Sequence, residues 1–294
     1  MIKVNTIRVN KLKIKATSPQ DLYFNGKNVK RAYKGDLLVW DKRDETGDYF
    51  YIEDVSVKQN TISLMKNYDG APDVTLYIST DPTDQENWTL WGTTSTTPLT
   101  YNLPAYSRVY FKGINKTFGD DSDSGKHNHF SSTEKFRIGG VISSVLTGNN
   151  NPLLVFTTDN KCCFYHMFYN CTGLTSIPEN LLPATTLCDH CYDGMFYGCT
   201  GLTKAPELPA TTLASNCYEG MFNGCTGLTI APNLPATRLK DSCYRNMFTR
   251  CTSLTSAPDL PAPELSSWCY FNMFYKCTGL TKAPELPATT LASN

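Results

Sequence analysis

The chain has 294 residues, of which 40% are hydrophobic, and its 27 basic and 27 acidic side chains give a net charge of zero. A chain of this length and composition has enough apolar material for two or three domains. It contains no run of about 18 apolar residues, which excludes a membrane-spanning helix and predicts that the protein does not insert into a membrane.

Residues 1–45 predict a β module. Asn25-Gly26 lies between two short apolar runs and predicts a hairpin, and residues 33–40 predict a second one. The beginning of the chain lacks the pattern of a secretory signal peptide. Apolar residues instead alternate with polar ones, as they do in β-strands, at Ile7, Val9, Leu12 and Ile14.

The charge of the first segment predicts a docking function. Residues 1–43 contain eleven Lys and Arg against three Asp, a net charge of +8, so the remainder of the chain carries −8. Such a basic segment fits docking to an acidic partner, either a nucleic acid or another protein. The alternative is that these lysines protect an exposed sheet edge from aggregation.

Residues 46–135 predict a β-sandwich, separated from the first module by a linker at residues 44–48. The evidence is a series of short alternating runs with turn residues between them. These runs are residues 55–57, 62–64, 74–78, 88–91 and 109–111.

The polar segment 120–129 predicts a loop at the tip of the sandwich. Its Asp-x-Asp-x-Gly pattern is half of a calcium loop, but the later glutamate that would complete the ligand set is missing. We therefore predict no metal and no cofactor. The weak candidates for ligands are Asp121, Asp123, His127 and His129.

Residues 163–294 consist of five copies of one repeat, preceded by a lead-in at residues 136–162. A period of 20–29 residues with leucines at fixed positions is typical of a solenoid, in which neighbouring copies complete each other's core. Successive copies are 28, 26, 26 and 26 residues apart. They begin at Cys163, Cys191, Cys217, Cys243 and Cys269.

Each copy predicts a strand, a turn and a helix. In the second copy, residues 202–206 form the predicted strand and residues 208–212, with Pro209, form the predicted turn. Residues 213–222 place apolar side chains at helical spacing and predict a short helix. The predicted fold class is a multidomain α+β protein: a β-hairpin module, a β-sandwich and a leucine-rich-repeat solenoid with a parallel β ladder.

Cysteine is frequent but does not predict disulfides. Ten of the twelve cysteines fall into two repeat columns eight residues apart. Without an export signal, such columns are expected to be reduced thiols that pack as small apolar side chains.

The repeat resembles a known family. The segment from Met221 to Thr229, Met-Phe-x-Gly-Cys-Thr-Gly-Leu-Thr, resembles the signature of BspA-type leucine-rich repeats in the form associated with Bacteroides. This resemblance covers residues 163–294 and implies adhesion rather than catalysis. Residues 24–40 are similar to short N-terminal modules of bacteriophage structural proteins.

These resemblances predict a non-catalytic bacteriophage virion protein, a head or tail appendage. Residues 1–45 would dock to other virion proteins, and the repeats of an oligomer would bind a glycan or protein on the host surface. The alternative is a BspA-type adhesin on a bacterial surface, which requires export. A glycan-degrading enzyme is less favoured, because no pair of catalytic carboxylates is identifiable.

Two variable columns flank the Ala-Pro of each copy, which is Ile-Pro in the first copy, and predict the ligand-binding surface. Strand alternation directs at least part of them to solvent. The alternative is drift at tolerant surface positions. The predicted binding residues are Lys204, Glu207, Ile230, Asn233, Ser256, Asp259, Lys282 and Glu285, with Ser176 and Glu179 at the same positions in the first copy.

Overall fold

A computed structural model gives the fold, and it divides the chain into two compact units, residues 1–46 and 47–294. The residues it describes are 2–4, 7–9, 22–24, 27–29, 31–34, 37–41, 49–120, 125–149, 161–290 and 292. This part of the chain contains no helix that is long and apolar enough to cross a membrane.

The first unit is built from short antiparallel strands. One sheet has the order β2-β1-β5-β6, and β3 pairs separately with β4. The two predicted hairpins are confirmed, since β3 pairs with β4 and β5 with β6. Three predicted features lie outside the described residues: the turn Asn25-Gly26, the strand positions Leu12 and Ile14, and the linker 44–48. The strands are β1 (Ile2–Val4), β2 (Ile7–Val9), β3 (Leu22–Phe24), β4 (Lys27–Val29), β5 (Arg31–Lys34) and β6 (Leu37–Asp41).

The second unit begins with two sheets that share one apolar core. The larger sheet has the order β10-β9-β12-β7-β14-β15 and the smaller one β11-β8-β13. Phe111 of the larger sheet and Phe130 of the smaller one meet with ring centroids 5.3 Å apart. The strands are β7 (Tyr51–Asp54), β8 (Asn60–Lys66), β9 (Thr75–Ser79), β10 (Thr89–Thr93), β11 (Leu99–Leu103), β12 (Arg108–Lys112), β13 (Asn128–Ser132), β14 (Phe136–Gly139) and β15 (Leu174–Ser176).

Four of the five strands predicted for this region are confirmed, within β8, β9, β10 and β12. The prediction for residues 55–57 is wrong, because the strand lies just before them and ends at Asp54. The Asp54 carboxylate accepts hydrogen bonds from the backbone of Ser56 at 3.1 Å and of Tyr106 at 2.9 Å. These bonds turn the chain away from the sheet and leave Val57 exposed.

The larger sheet leads directly into the repeats. Strand β15 belongs to the first copy and pairs in parallel with β14. The buried apolar residues form one continuous core from Phe50 in the sheets to Cys277 in the last copy.

The predicted α+β fold class, with a helix in every repeat, is wrong. The only α-helix among the described residues is α1 (Ser144–Thr147), which precedes the repeats, and one short 3-10 helix lies at Gln85–Asn87. Within the predicted helix, residues 215–222 form successive turns, and the predicted ladder is reduced to isolated bridges such as Lys204 with Ile230. The second unit is therefore built from strands and turns.

The segment that replaces the helix has a period of four residues, two pointing inward and two outward. Cys217 and Tyr218 are buried, Glu219 is partly exposed, Gly220 is buried but has no side chain, and Met221 and Phe222 are buried again. We call this segment of each copy the turn ribbon. It comprises residues 162–171, 190–199, 216–225, 242–251 and 268–277.

Left-handed residues make this period possible. Every fourth residue of the turn ribbon has a φ between about +53° and +77°, a region that L-residues rarely adopt and that an α-helix cannot contain. Glycine and asparagine tolerate this conformation best, which explains their recurrence outside the buried columns. The fifteen positions are Cys162, His166, Asn170, His190, Gly194, Gly198, Asn216, Gly220, Gly224, Ser242, Asn246, Arg250, Trp268, Asn272 and Lys276.

The backbone of the turn ribbon alternates between two kinds of hydrogen bond. The N–H of Met221 donates within its own coil to the carbonyl of Tyr218, three residues earlier, at 3.3 Å. The N–H of Phe222 donates instead to Met247 of the next copy at 2.9 Å. Five such bonds join each pair of neighbouring copies, so the copies stack as coils in register.

The buried side chains continue this stacking through the array. Successive rings of one column, Phe168, Phe196, Phe222, Phe248 and Phe274, lie 5.6 to 5.8 Å apart. A second column is formed by Phe164, Tyr192, Tyr218, Tyr244 and Tyr270.

The cysteines pack between these columns as free, buried thiols, as the sequence predicts. Thiols of the second column also donate hydrogen bonds to the previous coil: the Cys225 Sγ lies 3.1 Å from the carbonyl of Phe196. Burial raises the pKa of Cys225 well above its usual value, so the thiol keeps its proton.

Glycine-to-alanine exchanges distinguish the turn ribbon from a helix. Alanine stabilises a helix interior relative to glycine by about 1 kcal/mol, whereas at the left-handed Gly220 we expect it to destabilise the protein by about 1 kcal/mol. A Cβ on Gly220 would find its nearest neighbour, Tyr197 Cδ2, 4.0 Å away, so only the backbone conformation opposes the change.

Gly194→Ala is the matched comparison, because it has the same φ but its Cβ would overlap the His166 ring. We expect it to cost at least about 1 kcal/mol more than Gly220→Ala. Urea unfolding of both variants measures the difference. If Gly220→Ala stabilised the protein, the left-handed conformation assigned to residue 220 of the turn ribbon would be wrong.

Candidate functional site

The columns predicted to bind a ligand are exposed. Each of the eight predicted binding residues is solvent-exposed, and so are Ser176 and Glu179. Lys204, Ile230 and Ser256 stand in register, joined by parallel bridges. We call the surface formed by these ten residues the ladder face.

Chemical features on the ladder face are sparse. The Lys204 Nζ and the Glu179 carboxylate form an ion pair across neighbouring copies, and both side chains are mostly exposed. An exposed pair of this kind contributes little to stability. Ile230 is a large apolar side chain that is 58% exposed at the centre of the face.

A second variable surface was missed by the sequence reasoning. It consists of the two outward residues that follow each buried pair of the turn ribbon, and we call it the ribbon face. The signal that could have revealed it is the two variable positions between Cys-Tyr and Met-Phe, and again between Met-Phe and Cys. Its first column contains Tyr165, Asp193, Glu219, Arg245 and Phe271, and its second Tyr169, Tyr197, Asn223, Thr249 and Tyr275. Asp193 and Thr249 are buried, Phe271 and Tyr275 are exposed, and the other six are partly exposed.

Three histidines meet where the sheets contact the ribbon face. His127 and His129 come from the sheet region and His166 from the first copy. The Nδ1 atoms of His127 and His166 are 3.3 Å apart, and the rings of His127 and His129 have centroids 5.2 Å apart. Tyr169 stacks on His166 at 5.0 Å, and Tyr197 of the next copy stacks on Tyr169 at the same distance.

These histidines are neutral at pH 7. Burial and the neighbouring imidazoles lower the pKa of His166 to about 3. Burial also lowers the pKa of His127 to about 4, although its hydrogen bond to the carbonyl of Gly125 opposes the shift. The pKa of His129 is lowered by burial as well. A charged imidazole would be poorly solvated here, so the cluster behaves as a set of neutral polar rings.

An acidic cluster occupies the second and third copies. The His190 Nδ1 lies 2.8 Å from the Asp193 Oδ2, and its Nε2 lies 2.8 Å from the Asn216 amide nitrogen. Glu219 pairs with Arg245 at 3.4 Å. Burial raises the pKa of Asp193 to about 6 and that of Glu219 to about 7, the latter also because Asp193 is nearby.

Exposed aromatic side chains occupy the last turn ribbon. Trp268, Phe271 and Tyr275 are 50%, 42% and 50% exposed, and the rings of Trp268 and Phe271 meet edge to face at 4.8 Å. The Arg245 guanidinium lies 5.7 Å from the centre of the Phe271 ring. The ribbon face therefore changes along the stack from imidazole and phenol to carboxyl, guanidinium and exposed aromatic groups.

The weak metal candidates do not assemble into a metal site within the described residues. No group of three or more His, Cys, Asp or Glu side chains in that part of the chain is placed to hold a metal ion. His127 and His129 belong to the histidine cluster, and Asp121 and Asp123 lie outside the described residues.

Comparison of the chain with protein-family models, with curated proteins and with solved structures finds no match.

The histidine cluster predicts a specific loss of stability in acid. Between pH 6.5 and about 4 the unfolded chain binds protons at His127 and His166 that the folded protein does not, so unfolding becomes easier as the pH falls. His166→Asn removes one of these two imidazoles and replaces it with asparagine, which tolerates the left-handed conformation. As the pH falls from 7 to 4.5, we expect the free energy of unfolding of the variant to rise by about 2–3 kcal/mol relative to that of the parent protein.

Urea unfolding across this pH range is the measurement, with His190→Asn as the control at another left-handed position. Burial lowers the pKa of His190, but its ion pair with Asp193 outweighs this effect and raises the pKa above the usual value. His190→Asn should therefore not relieve the acid sensitivity. Parallel pH dependences of His166→Asn and the parent protein would contradict the assignment.

Proposed function

We propose that the chain is a non-catalytic adhesion protein whose ribbon face binds a polar ligand on a host surface. The observation that carries this proposal is that the buried positions of each copy are nearly constant while the positions between them vary. The buried pairs Cys-Tyr and Met-Phe recur almost unchanged, while the residues between them vary from glycine and asparagine to aromatic and charged residues. A constant interior with a variable exterior suits a recognition surface.

The chemistry of the ribbon face favours a glycan or a polar protein surface as the ligand. Exposed aromatic rings beside carboxyl, amide and guanidinium groups offer stacking and hydrogen bonds together. Trp, Tyr and Arg also dominate the binding energy of known interfaces. The ladder face, with one exposed ion pair and otherwise small or isolated side chains, is the weaker candidate.

The sequence resemblances are the basis for proposing which particle or cell carries this adhesion protein. We propose a bacteriophage virion appendage in which residues 1–45 dock to other virion proteins and the repeats face the host. A BspA-type adhesin on the bacterial surface is the alternative. Mass spectrometry of purified phage particles separates the two, because only the first places this chain in the particle.

Binding to intact cells of gut Bacteroides strains tests the proposed function. The ribbon-face variant combines Phe271→Ala and Tyr275→Ala with Trp268→Asn, whose ring lies beside that of Phe271. All three positions are exposed, so the change leaves the buried columns intact. We expect its affinity for the cells to fall about tenfold or more, the equivalent of losing one interfacial anchor.

The matched control combines Lys204→Ala, Glu207→Ala, Lys282→Ala and Glu285→Ala on the ladder face, and it should bind as the parent protein does. A loss confined to this control would move recognition to the ladder face. The adhesion function itself is wrong if the parent protein fails to bind every strain that its phage, or its bacterium of origin, contacts.

A further inference from the structure

The outward surface of the larger sheet carries a row of side chains that crosses three strands. Leu90 of β10 pairs with Tyr77 of β9, and Tyr77 pairs in turn with Lys112 of β12. Residues directly opposite each other in an antiparallel pair lie on the same face of the sheet. The neighbouring residues Leu76 and Phe111 point into the core, so the row points away from it.

Two further aromatic rings enclose the lysine at the end of this row. The Lys112 Nζ lies 4.3 Å from the centre of the Trp88 ring and 5.9 Å from that of the Tyr49 ring. These two rings contact each other edge to face, with centroids 4.8 Å apart. Tyr77 and Leu90 are 40% and 60% exposed. We call these five residues the sheet patch, in which an ammonium group lies beside aromatic rings that solvent can reach.

Lys112 has no anionic partner in the part of the chain that the structure describes. Its Nζ forms no ion pair and no hydrogen bond there, whereas Lys66, for example, pairs with Asp73. The ring contacts use the positive charge but leave the three N–H donors of the ammonium group available. Burial lowers the pKa of Lys112, because the charge is held partly away from water. An anionic ligand would accept hydrogen bonds from these donors and stabilise the charge.

The acidic loop that follows β9 does not neutralise Lys112. The Asp81 Oδ1 accepts hydrogen bonds from the Thr83 hydroxyl at 2.6 Å and from its N–H at 3.1 Å. The Asp84 Oδ1 accepts one from the Glu86 N–H at 2.9 Å. These bonds engage both carboxylates within their own loop, and neither of them pairs with Lys112.

We propose that the sheet patch binds an acidic glycan, with a carboxylate or sulfate of the sugar on the Lys112 ammonium and a sugar ring against Tyr77. Sugar rings present C–H groups on one face and hydroxyls at the edge, so an exposed aromatic ring with a polar group beside it suits them. The charge-assisted hydrogen bonds of Lys112 favour an anionic sugar over a neutral one. An apolar partner is disfavoured, because it would bury this charge without a counterion. The proposal does not depend on the ligand of the ribbon face.

Calorimetry on the full chain with three probes tests the proposal. Oligogalacturonate carries carboxylates, an oligosaccharide of carrageenan carries sulfates, and methyl-esterified oligogalacturonate is neutral. We expect at least one acidic probe to bind about tenfold or more tightly than the neutral ester, and the tighter of the two identifies the anion. Lys112→Met keeps an apolar stem against the Trp88 ring and should lower the affinity for that probe about tenfold, to that of the ester. Tyr77→Thr should weaken the binding of acidic and neutral probes alike.

Two variants serve as matched controls. Lys204→Met on the ladder face removes the same charge from another surface and should leave binding unchanged, as should the ribbon-face variant. Thermal unfolding checks that each variant is folded. The parent protein gives a second readout that needs no substitution, since an NMR titration with the bound probe should shift the side-chain signals of Tyr77 and Lys112.

Three results would overturn the proposal. One is that neither acidic probe binds more tightly than the neutral ester, and another is that folded Lys112→Met retains the preference for the acidic probe. The third is a loss of binding in the ribbon-face variant while Lys112→Met binds normally, which would place the acidic glycan on the ribbon face. Failure of the adhesion function in the cell-binding experiment leaves these three readouts unaffected.

Discussion

The stack depends on a backbone that directs alternate peptide groups along its axis. Each bond from one coil to the next needs an N–H group that no turn within the coil consumes, and the left-handed residue at every fourth position provides this alternation. An L-residue other than glycine costs about 1–2 kcal/mol in that conformation. The chain nevertheless places Arg250, Trp268 and Lys276 there. The hydrogen bonds and the buried rings of the same coil offset this cost.

The same constraint explains the chemistry of the repeat. Two inward residues alternate with two outward ones, so one face of the turn ribbon is committed to Cys, Tyr, Met and Phe and the other is free to vary. The second cysteine of each copy after the first fits where a thiol can fill a small space and also donate to a carbonyl of the previous coil. This scaffold supports the proposal that recognition resides on the ribbon face.

The sequence predicted a good part of this structure, and its main failure, the helix in each repeat, has a physical reason. The hairpins of the first unit follow from turn residues, and the buried columns follow from the fixed spacing of the repeats. The helix was predicted because Leu213, Cys217 and Met221 recur at intervals of four, but a two-in, two-out ribbon has the same interval. Gly or Asn at 216, 220 and 224 was the distinguishing signal.

The site was less predictable than the scaffold. The exposure of Lys204 and Glu207 follows from strand alternation, whereas the meeting of His127 with His166 depends on how the sheets contact the first coil. The raised pKa values of Asp193 and Glu219 likewise depend on burial between neighbouring copies. These features arise from contacts between segments that no local pattern connects.

The most direct test of this structure is the detection of its hydrogen bonds by NMR couplings across them. Stacked coils predict couplings from the amide nitrogen of Tyr218 to the carbonyl carbon of Cys243 and from that of Phe222 to that of Met247. A coupling from Phe222 to the carbonyl carbon of Tyr218, four residues earlier as in an α-helix, would contradict the account.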